Sequence, residues 1–166
     1  MTRVLGIDPG LASTGYGVIE CTGSRIRTID YGVIQTPAGH SVGARLHMLY
    51  GRITAVIESS GATGAGIESL FFTRNITSAL PVAQARGVLL LALEQHGIPA
   101  GEYPPQMIKQ AVTGAGQADK AQVQEMVRMI LGMPEIPRPD HAADALAAAI
   151  THYHNGQVSH VSQSDR

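Results

Sequence analysis

The sequence predicts an α/β fold in which one five-stranded mixed sheet carries helices on both faces. Three observations lead there. The first 35 residues hold three β-rich runs separated by short connections, the pattern of an antiparallel meander. A helical stretch, a strand, a longer helical stretch and another strand follow in alternation. The remainder reads as helix to near the C-terminus, so the order is β-β-β-α-β-α-β and then helices.

The elements are argued in chain order. Residues 3–8 form an apolar run closed by Asp8-Pro9-Gly10, which reads as a buried strand ending in a turn. Two more β-rich runs, 15–20 and 26–35, are joined by turn residues around Thr22, Gly23 and Ser24. Between residues 41 and 59 the apolar positions Val42, Leu46, Leu49, Ile53, Val56 and Ile57 fall near one face of an amphipathic helix. A fourth strand is expected at 64–68. The Ala/Leu/Val-rich run that follows Asn75 and ends at His96 reads as a helix that either starts near Ser78 or kinks at Pro81. Its apolar residues cover more than one face, so one side is expected to meet another subunit. A fifth strand is expected at 98–103 and helices at 105–112, 120–131 and 140–154, the last capped by Asp140. The order matches the ribonuclease H-like fold. A single domain over residues 1–155 is expected, with a disordered Ser/Gln-rich tail over 156–166.

Composition narrows the class of function. A chain of 166 residues with 44% hydrophobic residues is large enough to bury one core. The single Cys21 excludes an internal disulfide, and no Cys or His pair has zinc-ligand spacing. No run reaches the 18 or so uninterrupted apolar residues of a membrane span, and Asp8, Pro9 and Gly10 break the layout of a signal peptide. A cytoplasmic protein without a membrane is expected. The net charge of −1 shows no general basic excess, so any nucleic-acid surface must be local. Only two of the twelve basic residues are lysines, Lys109 and Lys120.

Acidic residues fall where strands and helices begin or end. Asp8 closes the first strand and Glu68 the fourth, each after an apolar run, so neighbouring strands could present both at one sheet edge. Asp144 lies on the last helix, with His141 one turn before it on the same face. The alanines of that helix, Ala142, Ala145 and Ala149, allow its backbone to approach the sheet. Each residue also has an ordinary reading. Asp before Pro-Gly is a common turn residue, Asp144 suits a helix start, and His141 alone reads as a surface or packing histidine. Converging carboxylates, by contrast, are what two-metal phosphodiester hydrolysis needs.

Six segments, in order and with fitting spacing, resemble the RuvC family of Holliday junction resolvases. They are Gly6-Ile-Asp-Pro-Gly-Leu-Ala-Ser-Thr-Gly-Tyr-Gly-Val-Ile19, Ile67-Glu-Ser-Leu-Phe-Phe-Thr-Arg-Asn75, Gln84-Ala-Arg-Gly87, Lys109-Gln-Ala-Val-Thr-Gly-Ala-Gly116, Lys120-Ala-Gln-Val-Gln-Glu-Met-Val-Arg128 and His141-Ala-Ala-Asp-Ala-Leu-Ala147. The resemblance implies a metal site at Asp8, Glu68, His141 and Asp144, holding two divalent ions, Mg²⁺ or Mn²⁺. His141 departs from the commoner Asp of the family, and its softer imidazole implies a stronger preference for Mn²⁺. Asp140 is no substitute, being rotated by roughly 100° around the helix. The resemblance further implies base stacking by Phe71, a phosphate contact for Arg74, and Lys109 and Lys120 near the cut strand; Phe72 beside Phe71 is a second DNA-binding candidate whose ordinary reading is a core role. The implied partners are four-way junction DNA, a second copy in a homodimer through the helix around 78–95, and the RuvA and RuvB branch-migration proteins.

Three other readings stay open from the sequence. The Gly6–Gly15 segment also resembles the first phosphate loop of actin-like ATPases and sugar kinases, which close two such lobes around a nucleotide. A ribonuclease H-like nuclease acting on RNA would share the fold, and His141 leaves room for a junction-binding protein without catalysis.

Overall fold

The computed structural model describes residues 1–69 and 76–161, the side chains of 157–161 excepted. Strands β1 (Thr2–Asp8), β2 (Ser13–Thr22), β3 (Arg25–Gln35), β4 (Gly64–Glu68) and β5 (Ala100–Tyr103) alternate with helices α1 (Val42–Ser60) and α2 (Ile76–Gln95). Helices α3 (Pro105–Thr113), α4 (Lys120–Ile130) and α5 (Asp140–Val161) complete the chain. The sheet order is β3-β2-β1-β4-β5. The first three strands form the expected antiparallel meander, while β4 and β5 run parallel to β1.

Helices cover both faces. Leu5 and Ile7 of β1 and Ala65 and Ile67 of β4 point into a core shared with Leu49 and Ile53 of α1 and Leu89 and Leu93 of α2. Val4 of β1 and Ile19 of β2 point to the opposite core, filled by Leu146, Ala147 and Ile150 of α5, Ile108 of α3 and Val127 of α4. Side chains alternate along a strand. Asp8 therefore shares the α5 face with Val4 and Gly6, and Glu68 shares it with Gly64 and Gly66. That alternation places both carboxylates under α5.

α5 reaches the sheet because glycines line its path. In the strand register Gly17 pairs with Gly6, Gly6 with Gly66, and Gly66 with Gly101, a row crossing four neighbouring strands. A Cβ at Gly6 would lie 1.8 Å from the carbonyl oxygen of Ala145, and one at Gly15 would lie 1.9 Å from that of His141. The small residues of α5 supply the other half of this contact, since Ala142, Ala145, Ala148 and Ala149 are fully buried. The alanines are apparent from the sequence as a close-packing face. The glycine row is not, because it forms only once the strands are in register.

Local chemistry accounts for most boundaries. Ser41 caps α1 by accepting from the Ala44 amide at 3.2 Å, and Gly61 ends it at φ 64°. Asp119 and Gln122 form a reciprocal capping box at the start of α4. Two boundaries differ from expectation. β5 begins at Ala100 rather than 98, because the Ile98 amide closes the end of α2 by donating to Leu93 O at 3.0 Å after Gly97 turns to φ 64°. α5 does not stop at His154 but continues to Val161, with Gly156 absent from the glycines that adopt positive φ. An Asn-Gly pair signals a stop only when its glycine adopts that conformation.

α2 starts at Ile76 and carries Pro81 inside it. It is 20 residues long with a mean hydropathy of 1.5, enough by length and composition to cross a membrane. Here Ala85, Leu89, Ala92 and Leu93 pack into the core, and Arg86 binds both oxygens of Glu102 on β5 at 2.6 and 2.7 Å. Ile76, Leu80 and Leu91 remain exposed.

Candidate metal centre

The parallel pairing of β1 and β4 ends at Ile7 opposite Ile67. The next residues, Asp8 and Glu68, close their strands side by side at the sheet's C-terminal edge, Asp8 still paired with Gly15 of β2 and Glu68 with Tyr103 of β5. The first turn of α5 lies over that edge, as the glycine contact at Gly15 requires. His141 Nδ1 stands 2.8 Å from Asp8 Oδ2. Among the described residues, Asp8, His141 and Asp144 offer ligand atoms that all lie within 4.8 Å of one another. Glu68 stands beyond this set, with its carboxyl hydrogen-bonded to that of Asp8.

Electrostatics make the cluster uncomfortable without a cation. Burial raises the Asp8 carboxyl to about 6; the bond from Glu68 and the Lys120 ammonium pull down while Asp144 adds to the rise. Burial likewise raises Glu68 to about 8, reinforced by the neighbouring Asp8 charge. Asp144 is raised by burial too, against the opposing pull of Lys120 and His141. Burial and the mutual repulsion of the two carboxylates favour a proton shared between Glu68 and Asp8. Buried like charges of this kind favour protonation unless an opposite charge enters. Three carboxylates and one imidazole, converging where burial disfavours their ionised forms, are a donor set that fits divalent cations such as Mg²⁺ or Mn²⁺.

Both lysines stand by this site. Lys120, the first residue of α4, places Nζ 3.1 Å from Asp140 Oδ2 and 3.7 Å from Asp144 Oδ2. Lys109 of α3 lines a cavity of about 210 Å³ together with Glu68, Lys120 and Asp144, walled by Pro105 and Ile108. A cavity with carboxylates on one side and ammonium groups on the other can receive a phosphate while cations sit on its acidic wall. Phe71, Phe72 and Arg74 lie outside the described residues. The phosphate-loop reading finds no support in the turn after β1, since the Thr14 hydroxyl is buried and donates to Gly10 O at 2.6 Å.

The structure thus brings Asp8, Glu68, His141 and Asp144 together and adds Lys109 and Lys120 at the rim. Sequence reasoning missed Asp140 as a participant. That carboxylate accepts from Gln124 at 3.0 Å and Arg138 at 2.9 Å and also meets Lys120. Lys120 and Gln124 sit on a different helix, α4, and no spacing in the sequence joins them to Asp140.

Comparison with known proteins agrees with this geometry. Residues 4–152 match the family described as Crossover junction endodeoxyribonuclease RuvC. Proteins of that description from Treponema denticola and Chloroflexus aggregans are 54% and 55% identical to this chain, over 95% and 90% of its length and 89% and 92% of theirs. The structure of Thermus thermophilus RuvC in complex with a Holliday junction substrate superposes with a TM-score of 0.91 at 35% identity, covering 96% of this chain and 97% of that one. A match over nearly the whole chain, in sequence and in fold, with the acidic cluster inside it, makes this protein a member of the RuvC family of crossover junction endodeoxyribonucleases.

Proposed function

We propose that the protein resolves four-way DNA junctions by metal-dependent nicking of two strands of like polarity, in homologous recombination and DNA repair in the cytoplasm. The observation that carries this reading is the convergence of Asp8, His141 and Asp144, with Glu68 bonded to Asp8, at one end of a fold whose relatives are junction endonucleases. Two divalent cations, Mg²⁺ or Mn²⁺, are assigned to Asp8, Glu68, His141 and Asp144. When bound, they supply Lewis acidity at the scissile phosphate and lower the pKa of the attacking water.

The chain's own residues do the rest. Asp8, the most enclosed of the four, orients the others, because its Oδ2 meets His141 while its carboxyl is bonded to Glu68. Lys120 and Lys109 offset phosphate charge from the cavity side. Phe71 is assigned to bases near the junction centre, with Phe72 beside it a further DNA-binding candidate, and Arg74 to a backbone phosphate.

Two nicks on one junction require two sites, so the working form is a homodimer. The exposed Ile76, Leu80 and Leu91 of α2 are its proposed contact. Leu80 and Leu91 are eleven residues apart and share one helix face, with Gly87 between them making no contact that a Cβ would disturb. RuvA and RuvB are the proposed partners on junction DNA.

The test is cleavage of a labelled synthetic four-way junction beside duplex and RNA/DNA hybrid controls, with wild type and Asp8→Asn. Paired nicks by wild type alone, on the junction alone and only with added metal, are the expected outcome. Binding without nicks would convert the reading to a binding protein, and hybrid cutting would convert it to a ribonuclease.

A further inference from the structure

We propose that Asp140 is a positioning residue that tethers the Lys120 ammonium beside the metal centre, so that the lysine stays at the scissile phosphate once cations occupy the cluster. This inference rests on the reading above that Lys120 serves the nicking reaction.

The geometry at Asp140 is directional. Its Oδ1 accepts from Gln124 Nε2 at 3.0 Å and from Arg138 Nη1 at 2.9 Å. The other oxygen, Oδ2, is left facing Lys120 Nζ at 3.1 Å. Gln124 is only 6% exposed, and its amide reaches Asp140 from the same helix that carries Lys120. One buried side chain thereby holds the carboxylate and fixes the distance between the start of α4 and the start of α5.

A tether is needed because Lys120's other anion is spoken for. Lys120 Nζ lies 3.7 Å from Asp144 Oδ2, and Asp144 belongs to the cluster assigned to metal. A divalent cation on Asp144 takes up that carboxylate's charge and repels an ammonium next to it. A lysine held by Asp144 alone would swing into solvent at the moment it is required. Asp140 precedes His141 in sequence but is turned by roughly 100° around the helix, outside the ligand set, so it keeps its charge for Lys120 when metal binds. An acid in the first turn of a helix also favours the helix dipole, and the experiment must separate that contribution.

Asp140→Asn removes the charge and retains an oxygen for Gln124. Lys109 and Lys120 are the only lysines, so lysine labelled with ¹³C at Cε gives two signals, with Lys109 as internal control. In Asp140→Asn the Lys120 Cε order parameter is expected to fall in metal-free and metal-loaded protein alike, while that of Lys109 stays as in wild type. At saturating junction the nicking rate is expected to fall about tenfold, the scale of coupling between residues in contact, with junction affinity unchanged. In the Lys120→Ala background the same substitution is expected to cost nothing further. Equal order of Lys120 in wild type and Asp140→Asn, or an equal rate loss in both backgrounds, overturns the tether and leaves only a helix-start role, which thermal unfolding of the variants reports. A wild type that fails to nick junctions would sink the proposed function, while the labelled-lysine signals would still decide this inference.

Discussion

Asp8 and Glu68 illustrate how burial and like charge set the chemistry of single residues. Their folded values of about 6 and about 8 stand above the ordinary 3.8 and 4.5. The folded, metal-free protein therefore binds more protons than the unfolded chain over that interval. The stability associated with those protons is present at low pH and is lost as pH rises through 6 and 8. A divalent cation reverses the preference, since it favours the ionised forms. Metal affinity is expected to climb from about pH 6 to about pH 8, with more protons released per metal at the lower pH. Calorimetry in buffers of different ionisation enthalpy measures this release, and pH-independent affinity would contradict the account. At the neighbouring position, His141→Asp is expected to lower the ratio of Mn²⁺-supported to Mg²⁺-supported nicking, because a softer nitrogen donor is replaced by oxygen. An unchanged ratio would show that His141 does not select the metal. Strand ends placed Asp8 and Glu68 at one sheet edge in the sequence, whereas Asp144 at a helix start had an ordinary reading and joined them as a candidate through the family resemblance. Asp140's bonds to Lys120 and Gln124 were not legible, since a tertiary contact between two helices leaves no trace in local spacing.

Helix α5 works as an element because both sides of its contact with the sheet lack bulk. Placing a methyl group at Gly6 means displacing the backbone of Ala145, since no flexible side chain is there to yield. Gly6→Ala is expected to destabilise the fold by about 1 to 3 kcal/mol, the usual cost of overpacking. It is also expected to weaken metal binding, because His141 and Asp144 move with the helix. Thermal unfolding and metal titration of this variant, beside Gly39→Ala in an open turn where a Cβ meets nothing within 4 Å and the glycine is not among those at positive φ, check the two effects. Loss of stability with metal affinity intact would mean that the glycine row serves packing alone. The apolar runs that Asp8 and Glu68 close made the positions of these acids readable as strand ends, while strand alternation in the sheet set the face they share. The end of α5 lies later than His154, because a Ser/Gln-rich composition does not by itself stop a helix.

At the scale of the whole molecule, α2 offers an apolar strip whose exposed members, Ile76, Leu80 and Leu91, face away from the core. Burying one leucine contributes on the order of 1.5 to 3 kcal/mol, so a charge at its centre is costly in an interface and nearly neutral on a free surface. Leu80→Asp is expected to convert a dimer to a folded monomer in sedimentation analysis and to abolish paired nicking. A wild type that sediments as a monomer would place the second site elsewhere. The breadth of α2's apolar surface was legible in the sequence, whereas its core-facing side emerged only with the sheet order.

Anomalous diffraction from crystals soaked in Mn²⁺ tests the central claim, that the Asp8 cluster is the metal centre, most directly. The account predicts two peaks among Asp8, Glu68, His141 and Asp144, both within coordination distance of Asp8, and the loss of both in Asp8→Asn. Junction nicking supported by Mn²⁺ with no peak at this cluster, or with peaks only elsewhere on the protein, would contradict it.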